Sequence, residues 1–262
     1  LKGQRIAEGR TAEVFTWGDK SILKIYREWC PSDWADHEQK VAEQINTLGI
    51  HAPRFEGRAD EFGRPGLIYE RVHGKSMLDL FPTNLAKIPV YARQFAELHI
   101  EMHQRSLPQL GPVKDYLRVN TNRAPLTQQQ KDAAFARLDQ LPDGDRLLHM
   151  DFHPGQVIVT ETGAVVLDWM TVRRGHPAAD VARTCLMLGI GRPNGPAILI
   201  LIAAILGRVF ENAYLKHYLA LSDQVTRADI DAWMLPVITA RMEEKISNET
   251  AALQRMLPRY MK

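Results

Sequence analysis

The chain has 262 residues, 45% of them hydrophobic and 24% charged, enough to bury a substantial core in one large domain or two lobes. Thirty-three Lys plus Arg stand against 31 Asp plus Glu, a formal charge of +2, which gives no reason to expect nucleic acid or an anionic membrane as partner and makes a small-molecule substrate the expectation. Cys30 and Cys185 lie far apart with no CxxC spacing, which argues against a disulfide framework or a thiolate metal site; with no secretory pattern in the first residues, a cytoplasmic protein is expected.

The N-terminal part is strand-rich. Gln4 to Glu8 and Glu13 to Trp17 flank a turn at 9–12, and the turn Gly18-Asp19 leads to a third strand, Ser21 to Tyr26. Trp34, Val41, Ile45 and Leu48 then recur at helical spacing from Asp33 until Gly49. Two more strands, Arg54 to Ala59 and Gly66 to Val72, surround a turn at 61–64.

Beyond Gly74 the pattern turns helical, over Ile88 to Arg105 and Gln128 to Gln140. One strand pair interrupts it: Val157 to Thr160 and Ala164 to Leu167, joined by Glu161-Thr162-Gly163 as a hairpin. Helices are expected again over Ala178 to Leu188, Ala197 to Tyr218, Arg227 to Trp233 and Pro236 to Met256. The longest apolar run, AILILIAAILG from Ala197 to Gly207, is about half of what a bilayer span needs, and it reads as a buried core helix with the stripe Ile198 to Phe210 facing inward.

The hairpin carries the functional reading. Asp151 lies shortly before it and Asp168 immediately after it, so the excursion is expected to return both carboxylates to one end. With the Gln156 amide, two carboxylates suit a hard divalent cation such as Mg2+, which prefers oxygen ligands and shares them with phosphates.

HMDFHPGQ (149–156) resembles the catalytic loop HxDxxxxN of kinases, and Asp168-Trp169 stands where they carry Asp-Phe-Gly. More narrowly, HMDFHPGQ, VVLDW and GHPAADVA are similar to the motifs of the aminoglycoside phosphotransferase and choline kinase-like family, and IAEGRTAEVF, LKIY, LIYERVHG and FAELH extend the likeness over nearly the whole chain. The resemblance implies an α+β, bilobal protein-kinase-like fold: an N-terminal antiparallel β-sheet lobe with one helix (1–72), and a mainly helical C-terminal lobe (73–262) for catalysis and substrate. It implies ATP and Mg2+, and a phosphoryl acceptor that is a hydroxyl of a small molecule, whether an aminoglycoside-like antibiotic, an amino alcohol or a sugar.

It also implies roles. Asp151 would orient the acceptor hydroxyl and take its proton, while Asp168 and Gln156 would hold Mg2+ on the phosphates. Lys24 would reach the α and β phosphates, oriented by Glu38 or, failing that, Glu43. Backbone groups of Glu70 and Val72 would bind adenine with Tyr69 behind them, and amides from Gly9 to Ala12, with the Thr11 hydroxyl, would cover the phosphates.

Blander readings stand beside these. A single glycine at position 9 is most often a plain turn, Lys24 a solvated strand lysine and Glu38 a surface charge. His149, Asp151 and His153 alternate as a facial metal site would, the basis of a rival metal-dependent hydrolase, although Pro154-Gly155 argues against a regular strand there. HIEMH (99–103) lacks the glutamate position of a zinc-protease helix, so His99 reads as packing and His103 as surface. Asp180 reads as a loop anchor or helix cap. Gln156, one methylene longer than the family's asparagine, shifts its amide by roughly 1 Å and motivates a second alternative, a nucleotide-binding pseudokinase.

Overall fold

The computed structural model describes residues 2–31, 33–61, 63–191 and 195–261, arranged in two compact units. One comprises Leu1–Met77 and Gly155–Met170, the other Leu78–Pro154 and Thr171–Lys262.

In the first unit β1 (Lys2–Glu8), β2 (Ala12–Trp17) and β3 (Ser21–Tyr26) form a meander, α1 (Asp33–Asn46) follows, and β4 (Phe55–Arg58) and β5 (Gly66–Glu70) complete an antiparallel sheet ordered β1-β2-β3-β5-β4. The central strands β3 and β5 bury Leu23, Ile25, Tyr26 and Leu67, and α1 covers them with Ala35, Val41, Ala42 and Ile45, the helical period that the sequence shows. Phe62, within the turn expected at 61–64, lies outside the described residues.

Strand β6 (Lys75–Ser76) leads into the short α2 (Met77–Leu80). A strand of the second unit, β7 (Arg146–Leu148), precedes the hairpin β8 (Val157–Val159) and β9 (Ala164–Val166), and β6, β8 and β9 make a small antiparallel sheet within the first unit. Gly74 is obligatory there, because a Cβ would collide with the Val159 carbonyl. At the hairpin tip the Thr160 amide donates to Gly163 O at 2.8 Å and Gly163 takes φ 156°, the glycine turn that the spacing predicts.

The second unit holds α3 (Ile88–His103), α4 (Val113–Arg123), α5 (Gln128–Gln140), β7 paired with β10 (Arg173–Gly175), then α6 (Pro177–Ile190), α7 (Ala197–Leu221), α8 (Arg227–Arg241) and α9 (Ser247–Tyr260). Thr127 opens α5 with a capping box closed by Gln130. Twelve of the fourteen residues of α6 are buried, including Asp180, Arg183 and Thr184.

Three expectations change. Helix α4 went unread because only Val113, Leu117 and Thr121 are buried in an otherwise polar stretch. Pro236 does not divide α8, since ten buried side chains hold the helix together past its missing amide, and the chain turns instead at Lys245, where φ is 52°. The apolar run of α7 is not a buried core: Phe210, Tyr214, Leu215 and Tyr218 are buried, whereas Ile198 is 60% exposed and Ile205 55%. The 25 residues of α7 are long and apolar enough to cross a membrane by length and composition. Its C-terminal half is part of the second unit's core.

Candidate active site

In the first unit the chemistry gathers on Lys24, which β3 projects from the middle of the sheet. Its ammonium lies 2.9 Å from both carboxylate oxygens of Glu38 on α1 and 3.0 Å from Asp168 Oδ1. Burial disfavours the charged ammonium, but Asp168 and Glu38 outweigh it and hold the Lys24 pKa well above the usual lysine value. The Tyr69 hydroxyl donates to Glu38 Oε1 at 2.8 Å and the Tyr26 hydroxyl donates to Oε2. Glu38 is thus fixed from two sides and its charge faces Lys24. Of the two glutamates considered as its partner, Glu38 meets the lysine and Glu43 accepts from Gln39 at 2.9 Å.

Asp168 is placed by the hairpin. Val157 pairs with Val166, and the Leu167 amide donates to Gln156 O at 2.8 Å, so Gln156 and Asp168 stand at the same end of the two strands. Asp168 itself takes φ 58°, a left-handed conformation that aspartate tolerates better than most residues with a Cβ. Two residues on, Met170 packs against the cluster of Tyr26, Ala35 and Leu67. A carboxylate and an amide oxygen form a hard-donor pair of the kind that suits Mg2+.

The remaining first-unit candidates are more restricted than expected. The Gly9 amide closes its own turn on Ala12 O at 2.8 Å, and Thr11 O accepts from the Arg27 amide at 2.9 Å. The Glu70 amide donates to Arg54 O and the Arg71 amide to Lys20 O, each at 2.8 Å. The Glu70 amide is therefore taken, and Val72 lies two residues further along the chain. Tyr69 meets Glu38 through its hydroxyl and Phe55 edge-on at 5.5 Å.

In the second unit the loop carrying Asp151 is pinned at nearly every backbone group. His149 N and Met150 N donate to the Asp180 carboxylate at 2.6 and 2.8 Å. Thr171 Oγ1 donates to His149 O and Thr184 Oγ1 to Phe152 O, both at 2.9 Å, while Arg183 Nε donates to Met150 O. The Asp151 amide donates to His149 Nδ1 at 3.2 Å. These bonds over-determine Met150, whose φ of 61° costs about 1–3 kcal/mol for a side chain with a Cβ. With Nδ1 engaged in the loop and its ring fully buried, His149 is scaffolding, and the facial His149, Asp151, His153 metal reading has no support.

Asp180 collects more than the loop. His99 Nε2 and His103 Nε2 lie 3.1 and 3.4 Å from its Oδ2, and each Nδ1 meets a tyrosine hydroxyl, Tyr214 or Tyr218, at 2.7 Å. Among the described residues this is the group whose ligand atoms come within 4.8 Å of one another as a metal would need. The carboxylate already accepts from the His149 and Met150 amides, with two imidazole nitrogens beside it, so the cluster is a loop anchor, as expected for Asp180. Burial, followed by the neighbouring His103, pushes His99 down to about 3 and keeps it neutral. Burial opposes the Asp180 charge, but its histidine partners hold its pKa well below the usual carboxylate range. His103, expected at the surface, is buried.

Behind Asp151 lies a network that sequence reasoning missed. Arg241 grips Glu249 with Nε and Nη2 at 2.8 and 2.9 Å, contacts Glu244 at 2.8 Å, and brings Nη1 to 3.8 Å from Asp151 Oδ1. Arg183 Nη2 meets the other oxygen of Glu244 at 2.6 Å. His153 Nε2 is 3.9 Å from Asp151 Oδ2. Charges at a helix end and in the following turn read as solvated in a sequence; no local pattern marks them as buried.

The comparisons with known proteins bear on the family and the fold. The family model of the phosphotransferase enzyme family, APH, matches residues 2–218. Solved structures of similar fold include APH(2")-IIa in a ternary complex with streptomycin and ATP (TM-score 0.62, 13% identity, 97% of this chain and 92% of that one). A choline/ethanolamine kinase family protein from Mesorhizobium loti aligns with TM-score 0.64 at 12% identity over 98% and 86% of the two chains. The amicoumacin kinase hAmiN, in complex with AMP-PNP, Ca2+ and Ami, aligns with TM-score 0.58 at 17% identity over 98% and 86%. No curated protein matches the chain at the level of sequence.

Proposed function

Because this chain belongs to the APH phosphotransferase family, with a kinase-like α+β fold, we propose that it transfers the γ-phosphoryl group of ATP to a hydroxyl of a small molecule. The observation that carries the reading is the Lys24 ammonium held between Glu38 and Asp168 at 2.9 to 3.0 Å, a fixed positive charge of the kind a nucleotide phosphate needs. Glu38 would keep Lys24 in place while Asp168 holds a metal.

Mg2+, held through Asp168 and Gln156, would supply charge that offsets the phosphate oxygens. The Asp151 carboxylate accepts the acceptor's hydroxyl proton as the oxygen–phosphorus bond forms, ADP leaves, and the product is a phosphate monoester. Positioning contributes most of the rate in such a reaction, and the pinned loop from His149 to Phe152 supplies it. The acceptor belongs to the amino alcohols, sugars or aminoglycoside-like antibiotics. The unpaired thiols Cys30 and Cys185 suit a cytoplasmic setting.

The test is a coupled ADP-release assay over a panel of hydroxyl compounds, with Asp151→Asn as the paired variant. Turnover should fall at least about a thousandfold while nucleotide affinity stays within a few fold. Wild-type turnover in that variant would remove Asp151 from the mechanism, and nucleotide binding with no turnover on any acceptor would favour a pseudokinase.

A further inference from the structure

Thirteen large apolar side chains are exposed among the described residues, and six of them fall in the first thirteen residues of α7: Ile198, Leu199, Leu201, Ile202, Ile205 and Val209. They are not scattered. Ile198, Leu201, Ile202, Ile205 and Val209 recur at i, i+3, i+4, i+7 and i+11, which makes one stripe on the side of the helix opposite Phe210, Tyr214 and Tyr218. Exposed apolar side chains scattered singly are ordinary, but a contiguous ridge of them marks an interaction surface.

A lipid bilayer fits this surface poorly. The free part, Ala197 to Val209, is about 20 Å long at 1.5 Å per residue, short of the roughly 30 Å of a hydrocarbon core, and the rest of α7 is built into the second unit. A helix lying flat on a membrane is rich in basic residues beside its apolar face; Ala197 to Val209 carries one, Arg208, at its far end.

A second copy fits it well. A two-fold contact needs a patch that complements itself, and an uncharged aliphatic ridge does so without any like charge meeting its own image. Direction follows from what lies further along the same face, Arg208, Asn212 and Lys216. In a parallel pair Arg208 and Lys216 would each face their own copies, at a cost; in an antiparallel pair they pass beyond the apolar overlap.

We propose that the Ile198–Val209 stripe of α7 is a homodimer interface, in which two chains pair antiparallel about the Ile202 turn. The full chain should then sediment at micromolar concentration with twice the 29.7 kDa of one copy. Ile202→Glu, or Ile198→Glu at the more exposed end, should weaken association by about a hundredfold with an unchanged Tm in dilute, monomeric solution. On a Cys30→Ser background, Ile202→Cys should be joined to its own copy by a short bis-maleimide and Val209→Cys should not. A wild-type monomer throughout the concentration series overturns the interface, as does a dimer that survives both glutamates. A Val209→Cys crosslink overturns the antiparallel arrangement, and a monomer that co-sediments with phosphatidylcholine vesicles gives the surface to lipid instead.

Discussion

Two residues of the candidate site make opposite demands on chemistry. Gln156 is held through its backbone by the Leu167 amide, so its longer side chain would have to reach the proposed metal by its own rotamers. Shortening it by Gln156→Asn is expected to leave ATP affinity without Mg2+ unchanged and to move the Mg2+ concentration for half-maximal turnover by severalfold; an identical Mg2+ titration would show that the amide takes no part. His99 is a stability residue. Its pKa of about 3 in the fold lies below the 6.5 of an unperturbed histidine, so between those values the unfolded chain binds more protons. The contribution of neutral His99 is complete above pH 6.5 and is lost as pH falls, at about 1.4 kcal/mol per unit. Urea unfolding at pH 7 and pH 5 should show wild type losing roughly 2 kcal/mol more than His99→Asn, and equal losses would contradict the neutral, buried assignment.

Among the elements, α6 has the widest reach, because Asp180, Arg183 and Thr184 on its buried face hold His149, Met150 and Phe152. Asp180→Asn puts an NH2 group among N–H donors and is expected to cost about 2–4 kcal/mol of stability. Even at temperatures where the variant is fully folded, its kcat should fall more than its KM for ATP rises, since Lys24 and Asp168 are untouched. A variant with unaltered kcat would mean the loop holds its shape unaided. These roles bear on what the sequence discloses. The strands around Lys24, the hairpin around Gln156 and the loop anchor at Asp180 were legible because each carries a local signature: alternation, a glycine turn, or a motif. The His103–Tyr218 pair joins residues 115 apart in the chain, and the Arg241–Glu249 grip spans eight residues across an irregular turn; nothing local distinguishes such residues from surface charges. Helix α7 misled for the complementary reason, that apolar content says a face will be covered without saying by what.

At the scale of the whole molecule, nucleotide binding should register as stability. A ligand that binds only the folded chain at a hundredfold excess over its Kd adds about 2.7 kcal/mol. MgATP is therefore expected to raise Tm in wild type, and Lys24→Ala, which removes the ammonium between Glu38 and Asp168, should abolish most of the rise; an undiminished rise would place the phosphates elsewhere.

The anchoring of the loop by α6 also orders events in time. Residues 149 to 152 are synthesised before Asp180, Arg183 and Thr184, and Met150 alone has no reason to adopt its left-handed turn. Until α6 has been made and docked, the nascent polypeptide carries its candidate catalytic aspartate in a segment without a shape. The shape of the loop is thus deferred until the chain has been made through Thr184.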